Sequence, residues 1–247
     1  MNFIHWHDFI DFRKSVVNSS RFFLEEEAIM FLKRLAAASN RRKKIIPKGK
    51  AFYRAQHGYD GIKTSSTDPN IPITKTPHNS KRMKPCAAHG KGGRANPPGV
   101  NYLYLATDKE TAMGEMRPWV GAEISCAEFV CKRDLVVADF ITNSEGASYL
   151  PKAITPDEIE NTVYYHVNGA FSEPINQEDA ATSYVPTQII AEYFKNNQYD
   201  GIAYKSSLGS GYNLVFFDVD SCDAINCQIF KADRVKWDFA HSIKIDY

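Results

Sequence analysis

The 247-residue sequence lacks several features that would assign it at once to a broad functional class. No apolar run approaches the roughly 20 residues that span a bilayer. The first residues, MNFIHWHDFIDFRKS, place acids and histidines where a signal peptide needs an apolar core. The net charge of +1 argues against a general nucleic-acid or membrane-surface binder. We therefore expect a cytoplasmic protein with no membrane partner and no direct nucleic-acid partner.

Three common catalytic and nucleotide-binding motifs are also missing. The chain contains no HExxH, no GxSxG and no GxxxxGK[ST]. Its glycine-rich segment SSLGSGYN leads into a predicted strand rather than a helix, so it is not a Rossmann fingerprint either. The sequence is therefore not an obvious member of those large enzyme classes.

The five cysteines are an odd number, which fits a reducing compartment better than a disulfide framework. Cys126 and Cys131 have the same spacing as Cys222 and Cys227, which raises the possibility of a zinc site. Zinc-binding pairs usually sit two to four residues apart in a turn. The segment CAEFVC has strand character, and an odd separation in a strand points two thiols to opposite faces. We predict structural thiols and no metal.

The N-terminal residues 1–46 are predicted to form a helical extension, followed by a second domain at 47–247. Within the extension Leu24, Ala28, Phe31 and Leu35 recur at helical spacing, and Ser20 is a candidate cap. The basic run RRKKIIPKGK at 41–50 is predicted to be a solvated connector, with a nucleic-acid patch as the alternative.

The remainder of the chain is predicted to be mostly β. AFYRA reads as a strand, and the polar span 57–98 is predicted to be one long loop. Further strand candidates are VNYLYLA, EISCAEFV, DLVVADF, GIAYKS, YNLVFFDV and INCQIF. Helices are predicted after Thr107 and in VPTQIIAEYFKNN, where Pro186 suits a first turn. This mixture predicts an α+β fold rather than regular βαβ alternation.

The segment GGRANPPGVNYLYLATDKETAMGEMRP at 92–118 combines a loop, a strand and a helix. The run from Thr107 to Glu110 fits a capping box, which predicts a helix from Asp108 to near Pro118. Glu115 would share a face of that helix with inward-facing residues, and a buried carboxylate needs a partner or a purpose. Spacing alone favours the alternative, in which Glu115 lies at the solvated edge of a narrow apolar stripe.

Other polar residues are equally ambiguous when taken singly. Arg54 could pair with a carboxylate on a neighbouring strand or present its fork to a diphosphate. Arg94 lies in a Gly/Pro loop, where exposure is expected. Ser206 and Ser207 end a strand before a glycine-rich turn, where small polar residues are common.

Several separate segments together resemble the RES domain family. They are YRA at 53–55, GRANPPGVNYLYLA and ETAMGEMR in the middle, and YVPTQIIAEYFKNNQYDGIAYKSS and GYNLVFF near the end. The resemblance covers about residues 50 to 230 and is carried by the order of the segments. RES domains are named for an arginine, a glutamate and a serine, and are commonly the toxins of bacterial Xre-RES toxin-antitoxin pairs. The resemblance implies an ADP-ribosyltransferase-like fold, with a mostly antiparallel β core and flanking helices.

The resemblance also implies a substrate and a set of site residues within 47–247. The substrate would be NAD+, cleaved at the nicotinamide-ribose bond without a metal. The catalytic residues would be Arg54 for the diphosphate, Glu115 for the positive charge on ribose, and Ser206 for the nicotinamide end or the arginine. The predicted substrate-binding residues are Tyr104 as an aromatic wall, Tyr53, Ser207 as the alternative family serine, and Arg94 with a loop-ordering role.

Two points stay open from the sequence. The acceptor of the ADP-ribosyl group could be water, phosphate, a protein or a metabolite. The chain could instead be a non-catalytic nucleotide-binding or protein-interaction module on the same fold, in which Glu115 and Arg54 are structural. The presence of all three name residues favours an NAD+-consuming toxin, for which an Xre-type antitoxin is the expected protein partner.

Overall fold

The structure is a computed structural model that describes residues 1–19, 21–62, 74–85, 92–142, 155–174 and 180–236. The helices of this part of the chain are α1 (Asp8–Asn18), α2 (Glu26–Arg42), α3 (Ser80–Met83), α4 (Lys109–Gly114), α5 (Pro156–Ser172), α6 (Ala180–Ser183) and α7 (Val185–Asn196). The strands are β1 (Lys44–Ile46), β2 (Ala51–His57), β3 (Asp60–Ile62), β4 (Thr74–Thr76), β5 (Leu103–Ala106), β6 (Glu123–Cys131), β7 (Leu135–Asp139), β8 (Gly201–Lys205), β9 (Tyr212–Phe216) and β10 (Cys222–Lys231).

Eight strands form one sheet in the order β1-β7-β8-β9-β5-β2-β6-β10. Every neighbouring pair is antiparallel except β7 and β8, which are parallel. The helices α1, α2, α5 and α7 pack their apolar residues on one face of this sheet. The prediction of an α+β fold with a mostly antiparallel core and flanking helices is confirmed.

The two N-terminal helices share one hydrophobic core with the sheet. Phe31 and Leu35 of α2 are buried in the same cluster as Tyr164 of α5 and Phe194 of α7. The predicted inward face of α2 is confirmed. The prediction that Ser20 caps this helix is wrong, because α2 begins at Glu26 with Glu25 as its N-cap residue; Ser20 itself lies outside the described residues. The boundary between an extension at 1–46 and a domain at 47–247 stays a prediction.

The basic run at 41–50 is mostly exposed, as predicted, but it is not an irregular connector. Arg42 ends α2 with its guanidinium carbon 4.1 Å from the centre of the Tyr164 ring, and it donates to the carbonyl of Ile141. Residues 44–46 form β1, the edge strand of the large sheet, paired with β7. The strand was not predicted because it is short and largely exposed, and only Ile46 packs against the core.

The predicted long loop at 57–98 also contains regular structure. β3 and β4 pair as a small antiparallel sheet, and α3 follows them. His78 is buried, with Nδ1 at 2.9 Å from an Asp60 carboxylate oxygen and Nε2 at 3.0 Å from the His57 carbonyl. Polar side chains therefore hold a compact subdomain that apolar periodicity could not predict. Residues 63–73 and 86–91 of that loop lie outside the described part.

Helix α5 was not predicted, although its sequence carries a clear start signal. Thr155 accepts a hydrogen bond from Glu158 N, and the Glu158 side chain accepts one from Thr155 N, which is a capping box with Pro156 in the first turn. Val163, Val167 and Phe171 then recur every fourth residue and are fully buried. This spacing was available in the sequence. The other long helix, α7, has Pro186 in its first turn as predicted.

Three of the four cysteines in the described part of the chain are buried strand residues, and the fourth, Cys227, is partly buried. Cys126 and Cys131 of β6 pack in two different clusters, which confirms that they point to opposite faces. Cys131 lies opposite Cys222 of β10, with 3.5 Å between the sulfurs. Among the described residues, no three His, Cys, Asp or Glu side chains are grouped to hold a metal ion. Over the same residues, each helix is too short or too polar to span a bilayer.

Candidate active site

A cavity of about 370 Å³ opens where β2, β5, β9 and the end of α4 meet. Five of the seven predicted site residues line it. They are Tyr53, Arg54, Arg94, Tyr104 and Glu115. Tyr184, Tyr204 and Asn213 line it as well, and none of these three was predicted. The sheet therefore brings together residues that are more than 150 positions apart in the chain.

Glu115 is the cap residue at the carboxyl end of α4, half-buried at the cavity wall. Its Oε1 accepts hydrogen bonds from Ser206 Oγ and from Asn213 Nδ2, each at 2.7 Å. The interpretation that Glu115 lies at a solvated edge is wrong, because two protein donors hold the carboxylate. Spacing could not show this, since both donors come from distant strands.

Helix α4 starts and ends differently from the prediction. Its cap is Asp108, whose carboxylate accepts from Thr111 N at 2.7 Å, so Thr107 is not the cap. The helix ends at Gly114 rather than near Pro118. Asp108 is the cap because its carboxylate is a better acceptor than the Thr107 hydroxyl at a helix N-terminus, where the helix dipole favours negative charge.

The glycine-rich turn between β8 and β9 packs directly against α4. Gly211 N donates to Thr111 Oγ1 and Tyr212 N donates to Thr107 Oγ1, both at 3.0 Å. A Cβ on Gly209 would lie 2.6 Å from Thr111 Oγ1, and one on Gly211 would collide with Asp108. The glycines thus permit close approach of the turn to the helix. This contact sets the position of Glu115 relative to the strand ends.

The two candidate serines have different environments. Ser206 is buried, donates to Glu115, and accepts from Leu208 N at 3.1 Å. Ser207 is exposed and donates to the Ser172 carbonyl, away from the cavity. Of the two serines, only Ser206 contacts Glu115 among the described residues. Its predicted contact with Arg54 is not formed among the described residues; the donor that Ser206 Oγ accepts from is Leu208 N.

Arg54 lies on β2, opposite Ala127 of β6, and lines the cavity. Its Nη1 is buried and has no hydrogen-bond partner among the described residues. Within the same residues, no carboxylate lies within 4.0 Å of the guanidinium. Burial lowers the pKa of Arg54 to about 10, so the group stays charged at neutral pH. A buried, uncompensated cation beside a cavity fits an anionic ligand.

Tyr104 supplies a cavity wall and also holds the neighbouring loop. Its hydroxyl donates to Asn96 Oδ1 at 2.6 Å and accepts from Ala95 N at 3.0 Å. Burial raises the pKa of Tyr104 well above its ordinary value, so the phenol stays protonated. A Cβ on Gly93 would lie 2.8 Å from the same hydroxyl, which leaves no room for a side chain there.

The loop at 92–98 is also tied to α7. Gln188 Nε2 donates to the Gly93 carbonyl at 2.9 Å and to the Asn96 carbonyl at 3.1 Å, while Thr187 Oγ1 donates to the Arg94 carbonyl. The Arg94 side chain donates to the Glu173 carbonyl, and its guanidinium carbon lies 5.8 Å from the centre of the Tyr184 ring. These contacts agree with a loop-ordering role for Arg94, although it also lines the cavity.

Some of the unpredicted residues carried a readable signal. Gln188 is a polar residue on the buried face of α7, and Asn213 is an amide that precedes the apolar run LVFF. A buried amide must find partners, which marks such positions for attention. Tyr184 and Tyr204 had no such signal, because aromatic residues are equally common in plain cores.

Two of three comparisons with known proteins found a match. The model of the RES domain matches residues 73–239, which include Tyr104, Glu115 and Ser206 but not Tyr53 or Arg54. A search of curated proteins found no match. A solved structure, the M. tuberculosis MbcT-MbcA toxin-antitoxin complex, is 14% identical to this chain, with a TM-score of 0.41. That similarity covers 80% of this chain and 92% of the other.

Proposed function

The chain belongs to the RES domain family, and from that premise we propose that it cleaves NAD+ at the nicotinamide-ribose bond. One observation supports this proposal above the others. The same cavity is lined by Arg54, whose buried Nη1 has no partner among the described residues, and by Glu115, whose carboxylate is held by two donors. NAD+ requires both groups, since its diphosphate is anionic and its ribose becomes cationic during cleavage.

Arg54 is suited to the diphosphate. Hydrogen bonds between a guanidinium and phosphate oxygens are charge-assisted and can be bidentate, which makes them strong and directional. In the described part of the chain nothing competes for Nη1, so a phosphate would complete its hydrogen bonding rather than displace a partner. Binding would also relieve the cost of leaving a charge buried without a counterion.

Glu115 is suited to the reacting ribose. Cleavage breaks the bond from the ribose C1′ to the pyridinium nitrogen, and the electron pair leaves with nicotinamide. The departing ring is already positively charged in NAD+, so it needs no proton from a general acid. The ribose then carries oxocarbenium-like positive charge, which a fixed carboxylate stabilises. An acceptor adds at C1′ and, if it is water, loses a proton.

We assign the chain to the toxin side of a toxin-antitoxin pair, restrained by an antitoxin protein. Membership of the RES family supports this assignment. A domain that consumes NAD+ would harm the cell that makes it, so it needs a protein that restrains it. Induced expression in a bacterium, with total NAD+ measured over time, tests both parts. The expected result is rapid loss of NAD+ with the native chain and none with Glu115→Gln. Unchanged NAD+ with the native chain would favour a binding module.

A second measurement identifies the acceptor. Purified protein is incubated with NAD+ in buffers with and without inorganic phosphate, and the products are separated. ADP-ribose in both buffers indicates transfer to water. ADP-ribose 1″-phosphate only in the phosphate buffer indicates transfer to phosphate, and label retained on protein indicates a transferase.

A further inference from the structure

Asn213 stands out as a polar side chain placed in an otherwise apolar part of the sheet. It lies near the start of β9, opposite Ala106 on β5 and Tyr204 on β8, and the three residues after it are buried and apolar. Its own side chain is buried. A carboxylate can only accept hydrogen bonds, so the atom 2.7 Å from Glu115 Oε1 must be the amide nitrogen.

Both donors to Glu115 bind the same oxygen. Ser206 Oγ and Asn213 Nδ2 each reach Oε1, while Oε2 accepts no hydrogen bond from the residues that the structure describes. Ser206 comes directly after β8 and Asn213 belongs to β9, so the two donors approach from adjacent strands. One hydrogen bond would leave the carboxylate free to turn about it, whereas two from different strands fix its plane.

We propose that Asn213 is a positioning residue that orients the Glu115 carboxylate so that Oε2 is presented to the substrate. This inference rests on the proposed function, in which Glu115 acts on the ribose of NAD+. Because a misplacement of about 1 Å at a reacting group can cost about a hundredfold in rate, the second donor has a catalytic consequence. Asn213 acts through Glu115, so it affects the rate more than substrate binding.

The contact itself is tested by thermal unfolding, without any activity assay. Asn213→Asp keeps the shape of the side chain but removes the donor and places two carboxylates side by side. We expect this variant to melt below the native chain, and we expect Glu115→Gln combined with Asn213→Asp to recover stability, because the glutamine amide donates to the new aspartate. Equal melting temperatures for Asn213→Asp with and without Glu115→Gln would overturn the inference.

The catalytic consequence is tested by steady-state nicotinamide release. We expect Asn213→Ala to lower kcat by roughly 10- to 100-fold with KM for NAD+ changed less than about threefold, as for the loss of a hydrogen bond to a charged group. Asn213→Asp should lower kcat at least as far, and it carries the test if the alanine variant does not fold. Asn197→Ala, which removes an exposed amide at the end of α7, is the matched control and should retain native kcat.

The outcomes separate this inference from the proposed function. If the native chain releases nicotinamide and folded Asn213→Ala releases it at the native rate, the inference is wrong and the proposed function stands. A parallel rise in KM with kcat unchanged would also overturn it, because Asn213 would then be a binding residue. If the native chain releases no nicotinamide, the proposed function fails and the inference fails with it.

Discussion

The two charged walls of the cavity differ in how their charges are satisfied. On one wall Glu115 already has two hydrogen bonds, from Ser206 and Asn213. On the other wall Arg54 has a buried Nη1 with no partner in the described part of the chain. The same fold thus fixes the carboxylate before any ligand arrives and leaves the guanidinium incomplete.

This difference assigns separate tasks to the two walls. A group that must stabilise charge in a transition state works best when it is already oriented, because it then costs no reorganisation during the reaction. A group that binds an anion gains most when its bonds are made only with the ligand. The Glu115 wall is therefore expected to control turnover, and the Arg54 wall to control binding.

The largest expected effect on turnover comes from the Glu115 wall. Glu115→Gln should lower the rate of nicotinamide release by roughly 1000-fold or more while NAD+ still binds, because the charge is lost and the shape is kept. The rate is measured as nicotinamide released in samples quenched at set times, and the affinity for NAD+ is measured by calorimetry. Glu110→Gln, on the exposed side of the same helix, is the control and should leave the rate unchanged. Near-native release by Glu115→Gln would contradict the assigned role.

At the Arg54 wall we expect a substitution to weaken NAD+ binding. Arg54→Met removes the charge and keeps the length of the side chain. In the Glu115→Gln background, where NAD+ is not consumed, it should weaken NAD+ binding by roughly 10- to 100-fold. The ligand-free chain should not melt at a lower temperature, because replacing an uncompensated buried charge by an apolar group is neutral or stabilising.

Calorimetry and thermal unfolding of the Arg54 variant decide between two roles. Arg82→Met, at an exposed position on α3, is the control and should bind NAD+ normally. A fall of several degrees in the melting temperature with unchanged NAD+ binding would show that Arg54 is structural, and the contrast between the walls would be lost.

The adjacent serines Ser206 and Ser207 provide a matched test of the Glu115 wall. Ser206→Ala removes one of the two donors to Glu115 and should lower kcat by roughly 10- to 100-fold, as expected for one hydrogen bond to a charged group. Ser207→Ala removes only a bond to the Ser172 carbonyl and should leave kcat unchanged. Steady-state rates for the two variants make the comparison. A larger loss of kcat in Ser207→Ala than in Ser206→Ala would contradict the assignment of Ser206 as the donor that matters for turnover.

The smallest expected effect concerns the loop between the walls. Tyr104→Phe leaves Ala95 N and Asn96 Oδ1 without the phenol, so it should lower the free energy of unfolding by about 1–3 kcal/mol, with little change in kcat. Tyr102→Phe is the control, because the Tyr102 hydroxyl makes no hydrogen bond with described residues. Denaturant unfolding measures both. Equal stability of the two variants would show that the phenol does not hold the loop.

The sequence predicted which residues of a strand or helix face the core better than it predicted contacts between distant residues. Side chains alternate along a strand, so VNYLYLA puts Leu103 and Leu105 on one face of β5, and both are buried together in one cluster. Helical spacing likewise predicted the inward face of α2. Such patterns are local, because each residue's direction follows from the geometry of its own strand or helix.

The site was less predictable because its contacts join distant parts of the chain. Spacing within α4 could not reveal that Ser206 and Asn213, which lie 91 and 98 residues further on, hold Glu115. The family resemblance supplied Arg54, Glu115 and Ser206, but it gave no reason for Asn213 or Gln188. Those two follow from the satisfaction of buried polar groups, which requires the folded arrangement.

The most direct test of the contrast between the walls is a structure of the Glu115→Gln variant with NAD+ bound. The account predicts that the diphosphate lies on the Arg54 guanidinium and that the ribose of the nicotinamide half lies beside residue 115. It also predicts that the turn carrying Ser206 and the start of β9 do not move when NAD+ binds. NAD+ bound elsewhere, or an Arg54 guanidinium that stays without a phosphate partner, would contradict it.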